Sequence, residues 1–412
     1  MTIRRRDRGL SDGDMGCDGS WDMTDDLLER LREVPDAAPL FDALADVPGV
    51  WVVGGAVRDA LLGRAPRDLD LVVEGDAAEV ARRLGEAPLV HERFGTATTD
   101  GDVNLAAARR ERYERPGALP EVELGAPIEE DLARRDFTVN AIAVRLADGK
   151  LEAVPGALED LAARRLRVLH DRSFLDDPTR LLRLIRYAAR LRFQIEQGTR
   201  EQAFAAVEGG ALATVTPSRL GAELRLLMAE PMPGAICGLE AFAIGPALVP
   251  GFEVDPDLVE RAQRLTPHDG RPDLVALAAC CLDASAPVLA QRLDRFELPA
   301  RERDTVVAAA TRARGLAPVL GGMEEPSGIW ALLRRETPET VALAGGLGAS
   351  ENARRWLEEL RHAKLAITGD DLLAEGLEGP AIGRALDAAT AAMLDGEAGD
   401  RDSQLAAALE AG

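Results

Sequence analysis

The sequence predicts an α+β chain: a head built on a small mixed sheet, followed by an all-helical neck, body and tail. Three observations carry that expectation. Residues 50 to 73 run as apolar strand, Gly-Gly turn, short helix and second strand. Two more strand-like runs, at 97 to 105 and 138 to 144, follow within the first 150 residues. From about residue 158 the apolar spacing turns helical and stays so, punctuated by turn signals at 231 to 234, 267 to 272 and 321 to 327.

Taken in order, residues 1 to 23 start basic but contain no apolar core, so they read as a disordered leader and not a secretory signal, with Met15 and Met23 as alternative starts. The head spans 24 to 157. It opens with helical residues 24 to 47, broken by Pro35 and Pro39. Val50 to Val53 then form a buried strand, Gly54-Gly55 a tight turn, 56 to 62 a helix closed by Gly63, and 69 to 73 a second strand. A helix is expected near 128 to 135. The neck covers 158 to 240, and the body and tail 241 to 412.

Composition narrows the function before any motif is read. The chain has 412 residues, 46% of them hydrophobic and 29% charged, which excludes a wholly disordered protein. No apolar run approaches the roughly 20 residues of a membrane-spanning helix, so no membrane partner is expected. With 49 Lys+Arg against 71 Asp+Glu the net charge is -22, which disfavours non-specific coating of nucleic acid and any role on DNA. Contact with RNA or nucleotide must come from local arginine clusters, since Lys150 and Lys364 are the only lysines. Cys17, Cys237, Cys280 and Cys281 have neither zinc-ligand spacing nor a disulfide framework, and a reducing cytoplasm fits them.

The chemistry concentrates between Val52 and Leu71. Asp68 and Asp70 alternate with Leu69 and Leu71, so on one strand the two carboxylates share a face roughly 6.6 Å apart while the leucines enter the core. Hard oxygen ligands in this arrangement suit Mg²⁺, which serves in-line displacement on a triphosphate. Gly54 and Gly55 let the backbone approach phosphate closely, and Arg58 in the following helix can add a charge-assisted contact. Farther on, Asp177 and Pro178 make a good helix start. At about 100° per residue, Arg180, Arg183, Arg186 and Arg190 fall within an arc of about 120°, opposite Leu181, Leu184 and Ile185. A solvated face normally alternates signs, whereas this one is all cationic.

The Gly-Gly turn followed by the acidic pair resembles nucleotidyltransferases of the polymerase-β type. The continuation through Gly63-Arg64 and Val73-Glu74-Gly75, with the segments AARRERYERPGALPEV and EEDLARRDFTVNAIAV, is similar to the class II tRNA nucleotidyltransferase and bacterial poly(A) polymerase family. The resemblance implies a polymerase-β-type head in which Asp68 and Asp70 are the catalytic metal ligands and Gly54, Gly55, Arg58 and Arg135 bind the triphosphate. It also implies that Asp177 and Arg180 read the base edge, with Arg183 and Arg186 touching nucleotide or phosphate. An Asp acceptor beside an Arg donor fork suits that task. Asp136 and Asn140 read as loop-bracing residues.

The implied activity is addition of CMP and/or AMP from CTP and ATP to the tRNA 3′ end, with loss of pyrophosphate. Poly(A) synthesis on RNA 3′ ends and a non-catalytic RNA-binding role are the alternatives. Asn104 stands where the family carries a third acidic residue and is a third metal-site position without charge; Asp102 is its nearest compensating carboxylate. Around Thr368-Gly369-Asp370 and Gly379-Pro380 the tail also resembles longer family members, and the body and tail are expected to bind tRNA. His91, His170, His268 and His362 are too scattered for an appended metal-dependent phosphohydrolase, and no Walker A pattern is present.

Overall fold

The computed structural model describes residues 24–35, 37–66, 68–84, 89–91, 95–98, 104–230 and 234–411. The expected leader, Cys17, Asp102 and the 231 to 233 part of the predicted turn lie outside the described residues. The chain divides into two compact units, one holding residues up to 112 with 121–163, the other holding 113–120 with everything from 164 onward.

The first unit is built on a mixed sheet. Its strands are β1 (Val50–Val53), β2 (Asp70–Val73), β3 (Leu89–His91), β4 (Thr96–Thr98) and β5 (Asn104–Ala107), with β8 (Ile142–Arg145) and β9 (Leu151–Ala153) after the hairpin β6 (Arg109–Arg112) and β7 (Glu121–Leu124). The order is β3-β4-β5-β2-β1-β8-β9, with β2 and β5 parallel and every other neighbouring pair antiparallel. All four residues of β1 are buried, as expected of a central strand covered on both faces. Helices α1 (Thr24–Arg32), α2 (Ala37–Leu44), α3 (Gly55–Leu61), α4 (Ala77–Leu84), α5 (Ile128–Ala133) and α6 (Ala157–Ala162) complete the unit. Glu74, just past β2, ties its layers together by accepting from Trp51 Nε1 at 3.1 Å and from the Ile128 amide at 2.8 Å.

Two strand expectations change. The run 97 to 105 divides into β4 and β5, on either side of residues 99–103, which are not described. The run 138 to 144 begins as a 3₁₀ turn, Thr138–Asn140, and becomes strand only at Ile142. The turn forms because Asp136 accepts from the Phe137 amide at 2.8 Å and from Asn140 Nδ2 at 3.0 Å, drawing the backbone out of extended pairing.

The second unit is helical apart from a two-residue parallel pair, β10 (Arg165–Leu166) with β11 (Gln194–Ile195). Around that pair lie α7 (Ser173–Asp176), α8 (Thr179–Leu191), α9 (Gln197–Glu208) and α10 (Pro217–Met228), and the remaining helices run on to Ala411. Cys280 and Cys281 are buried core residues, and burial pushes the Cys280 thiol up to about 12. No helix among the described residues is long and apolar enough to cross a membrane.

Gly221 of α10 is required by packing, because a Cβ there would lie 2.2 Å from the Phe296 carbonyl oxygen. Gly315, inside the helix Ala300–Gly321, faces open space. Gly221→Ala is expected to cost about 2 kcal/mol, whereas Gly315→Ala should stabilise by about 0.5–1 kcal/mol. Denaturant unfolding of the two variants checks the opposite signs.

Candidate active site

The sheet register brings three of the predicted residues to one end of the first unit. Asp70, the first residue of β2, pairs laterally with Val53 on β1 and with Asn104 on β5. Laterally paired residues present their side chains to the same face, so Asn104 stands beside Asp70. Gly54 follows Val53 directly, and its amide donates to the Ile142 carbonyl at 3.0 Å.

Asp68 is corrected in one respect. The strand begins at Asp70, so Asp68 comes from the segment leading into β2 and not from the strand itself. Buried Leu69 anchors the short approach, and Asp68 and Asp70 are both exposed. The two carboxylates still feel each other. The Asp70 carboxyl is held above its ordinary value, first because protein crowds it on the sides away from solvent and second because Asp68 repels its charge; Arg135 opposes both. A carboxylate whose charge is destabilised by burial and by a neighbouring carboxylate, with an amide carbonyl alongside, suits a hard divalent cation. Among the described residues no cluster of three or more His, Cys, Asp or Glu side chains offers another metal site.

Arg135 belongs to a charge chain that sequence reasoning missed. Asp131, fully buried on α5, receives Arg135 Nη2 at 3.0 Å and Arg134 Nη2 at 2.7 Å. Burial works to raise its carboxyl, but Arg135 and Arg134 outweigh it and hold it below the usual range. Arg134 is also bound to Glu111 at 2.8 Å. The Nη1 of Arg135 sits where a Gly54 Cβ would come within 3.0 Å, and Gly54 has a φ of 70°. Glycine is therefore required at 54 for both space and conformation. Arg58 is buried, with Nε on Asp59 at 2.8 Å and Nη1 on Asn140 Oδ1 at 2.5 Å. A Gly55 Cβ would lie 3.5 Å from Arg58 Nη2, an ordinary contact, so a side chain at 55 would rest against that guanidinium.

The second unit holds the other predicted residues. Helix α8 starts at Thr179, and Asp177 caps it by accepting from the Thr179 amide at 3.1 Å and its hydroxyl at 2.6 Å. Arg219 of α10 also reaches Asp177, at 2.8 Å. Arg180 is buried with Nη1 on Ser173 Oγ at 2.7 Å. The all-cationic face is corrected here: α10 and the residues just past its end supply the counter-charges. Glu223 lies 3.2 Å from both Arg183 and Arg186, and Glu230 pairs with Arg190. Arg183 and Arg186 also lie over the Tyr187 ring, at 5.5 and 5.0 Å from its centroid. The Nε of Arg186 is buried without a hydrogen-bond acceptor among the described residues. The run PSRLGAEL carried a readable signal, since Arg219 and Glu223 are spaced i, i+4 on one helix face. In the tail, Thr368 and Asp371 form a capping box at the helix Gly369–Ala374, and Gly379, at a φ of 57°, leads into the helix Pro380–Leu394.

The raised Asp70 carboxyl has a thermodynamic signature. A native pKa above the unfolded value means that the ionised form weakens the fold, so metal-free stability should rise as pH falls through the window between those values. Asp70→Asn should raise the melting temperature of the metal-free protein near neutral pH and abolish its further stabilisation by a divalent cation. Thermal melts with chelator and with Mg²⁺ test both effects. Asp131→Ala, by contrast, should cost about 3 kcal/mol, since it removes a buried carboxylate that both Arg134 and Arg135 bind, and denaturant unfolding reads that loss.

Comparison with known proteins agrees with this geometry. Residues 50–167 match the poly A polymerase head domain. The chain is 33% identical over 394 residues to the A-adding tRNA nucleotidyltransferase of Geobacter sulfurreducens, a match covering 87% of this chain and 45% of that protein. It is 38% identical over 348 residues to the CC-adding tRNA nucleotidyltransferase of Deinococcus radiodurans, covering 81% and 82%. The chain thus spans about half the length of the A-adding relatives it matches, at 45% and 51%, and most of the CC-adding one. Its fold superposes on the Thermotoga maritima CCA-adding enzyme solved in complex with tRNA with a TM-score of 0.76 at 29% identity, covering 94% of this chain and 98% of that one. The fold and these matches together establish that the chain belongs to the class II CCA-adding tRNA nucleotidyltransferase and poly(A) polymerase family.

Proposed function

We propose that this protein transfers CMP and/or AMP from CTP or ATP to the 3′ end of tRNA, releasing pyrophosphate. The observation that carries the reading is the placement of Asp70 beside Asn104 at the sheet end, with Asp68 coupled to it and Gly54 and Arg135 adjoining. Asp68 and Asp70 hold the divalent cation that nucleotidyltransferases of this family use, and Mg²⁺ is the ion that suits their hard oxygens. A bound cation there would neutralise charge on the triphosphate and favour ionisation of the attacking 3′-hydroxyl.

The chain's own groups do the rest. Gly54 and Gly55 admit the phosphates, while Arg135 and Arg58 are held by Asp131 and by Asn140 with Asp59, so their charge is fixed before substrate arrives. Asp177 and Arg180 read the base. Arg183 and Arg186 lie along the same helix, and the unsatisfied buried Nε of Arg186 is a donor awaiting an acceptor. The body and tail, residues 241 to 412, bind the tRNA, and the cytoplasm is where that substrate is met. Asn104 favours a second reading, a relative that binds RNA without catalysis, because an amide adds no charge to the metal site.

Primer extension on tRNAs ending before CCA, after C and after CC, with CTP, ATP or both, tests the reading. Defined additions that stop at one length are expected, and Asp70→Ala should lose them; long A tracts on any RNA would make the enzyme a poly(A) polymerase. Asn104→Asp should lower the Mg²⁺ concentration needed for half-maximal rate. An unchanged requirement would remove Asn104 from the metal site.

A further inference from the structure

Ser173 opens α7, seven residues before Arg180, and is fully buried. Its hydroxyl oxygen accepts from Arg180 Nη1 at 2.7 Å, and its backbone carbonyl accepts from the Asp177 amide at 3.2 Å. One small residue thus contacts both the Arg180 guanidinium and the Asp177 backbone. The Ser173 amide in turn donates to the His170 carbonyl at 3.1 Å, so the turn that carries the serine is itself tied down.

A guanidinium has five donors in a rigid plane, so fixing one Nη fixes the direction of the others. Arg180 is 5% exposed. Losing the Ser173 acceptor removes one of the anchors that set the direction of that buried charge. The serine side chain is short enough for α7 to lie directly against α8, and a longer polar residue at a fully buried position would push the two apart. Arg219 performs a related task for the Asp177 side chain from α10, but it does not share the contact to Arg180.

We propose that Ser173 is a positioning residue for nucleotide selection: it orients the Arg180 guanidinium through its hydroxyl and the Asp177 backbone through its carbonyl, so that the two present one donor–acceptor pattern to the incoming base. The inference rests on the assignment of Asp177 and Arg180 as base readers. Ser173 touches no substrate itself and acts only through them.

A double-mutant cycle on the full-length protein tests this, reading the ratio of kcat/KM for CTP and ATP on a tRNA primer that accepts one of them. The ratio is independent of the fraction of folded enzyme, so a variant that folds poorly still reports. Ser173→Ala should narrow the preference about tenfold, the effect of one hydrogen bond to a charged group, mainly through the KM of the favoured nucleotide. Ser173→Thr, which keeps the hydroxyl, should retain most of the preference. In an Arg180→Ala background Ser173→Ala should add nothing, because the side-chain contact it removes is already gone. An equal loss in both backgrounds, or none in either, overturns the positioning role while leaving the base readers in place. If Arg180→Ala and Asp177→Ala both leave the preference intact, the base-reading assignment fails and this inference fails with it.

Discussion

The repulsion that Asp68 exerts on Asp70, the first residue of β2, is the constraint around which the charges of the first unit are arranged. Partial desolvation and the repulsion of Asp68 both disfavour the ionised form of Asp70. Arg135 supplies the opposing charge, and Arg135 is held by a fully buried Asp131 that also anchors Arg134. The unit thus strings charges of alternating sign from α5 to the sheet end. Each link is partnered, and the imbalance is left at the carboxylates, where a cation adds the missing positive charge.

The backbone follows from the same need. β2 lies between antiparallel β1 and parallel β5, which sets Asp70 against Asn104 on one side and against Val53, the residue before Gly54, on the other. Gly54 must be glycine because its φ is positive and Arg135 occupies the space a side chain would take. Gly55 is different: a Cβ there would make only ordinary contact with the Arg58 guanidinium, so the protein itself does not crowd it.

In the second unit the organising problem is the burial of arginines. Arg180 and Arg186 are both buried, which is tolerable only with acceptors. Ser173 answers the first, and Glu223, shared between Arg183 and Arg186, answers the second. The result is a row of guanidinium groups whose directions are set before any ligand arrives. Among the described residues the buried Nε of Arg186 has no acceptor, which leaves one donor of this row unsatisfied.

The local features were legible in the sequence because each depends on neighbours a few residues away. The Gly-Gly turn, the Asp-Leu-Asp alternation, the Asp177-Pro178 helix start and the arc of arginines all follow from spacing and residue type, and together they carried the family and the α+β order. Strand boundaries were less legible, because the Asp136 and Asn140 side chains compete with extended pairing at Thr138 and because Asp68 only approaches the strand it was expected to share with Asp70. What only the tertiary structure decided were the partners: Asn140 for Arg58, Arg219 for Asp177, and Glu223 and Glu230 for a face that reads as purely cationic along the chain. Several of these pairs join residues dozens of positions apart. Spacing along one helix or strand states which face a charge occupies, but packing between elements determines which opposite charge meets it there.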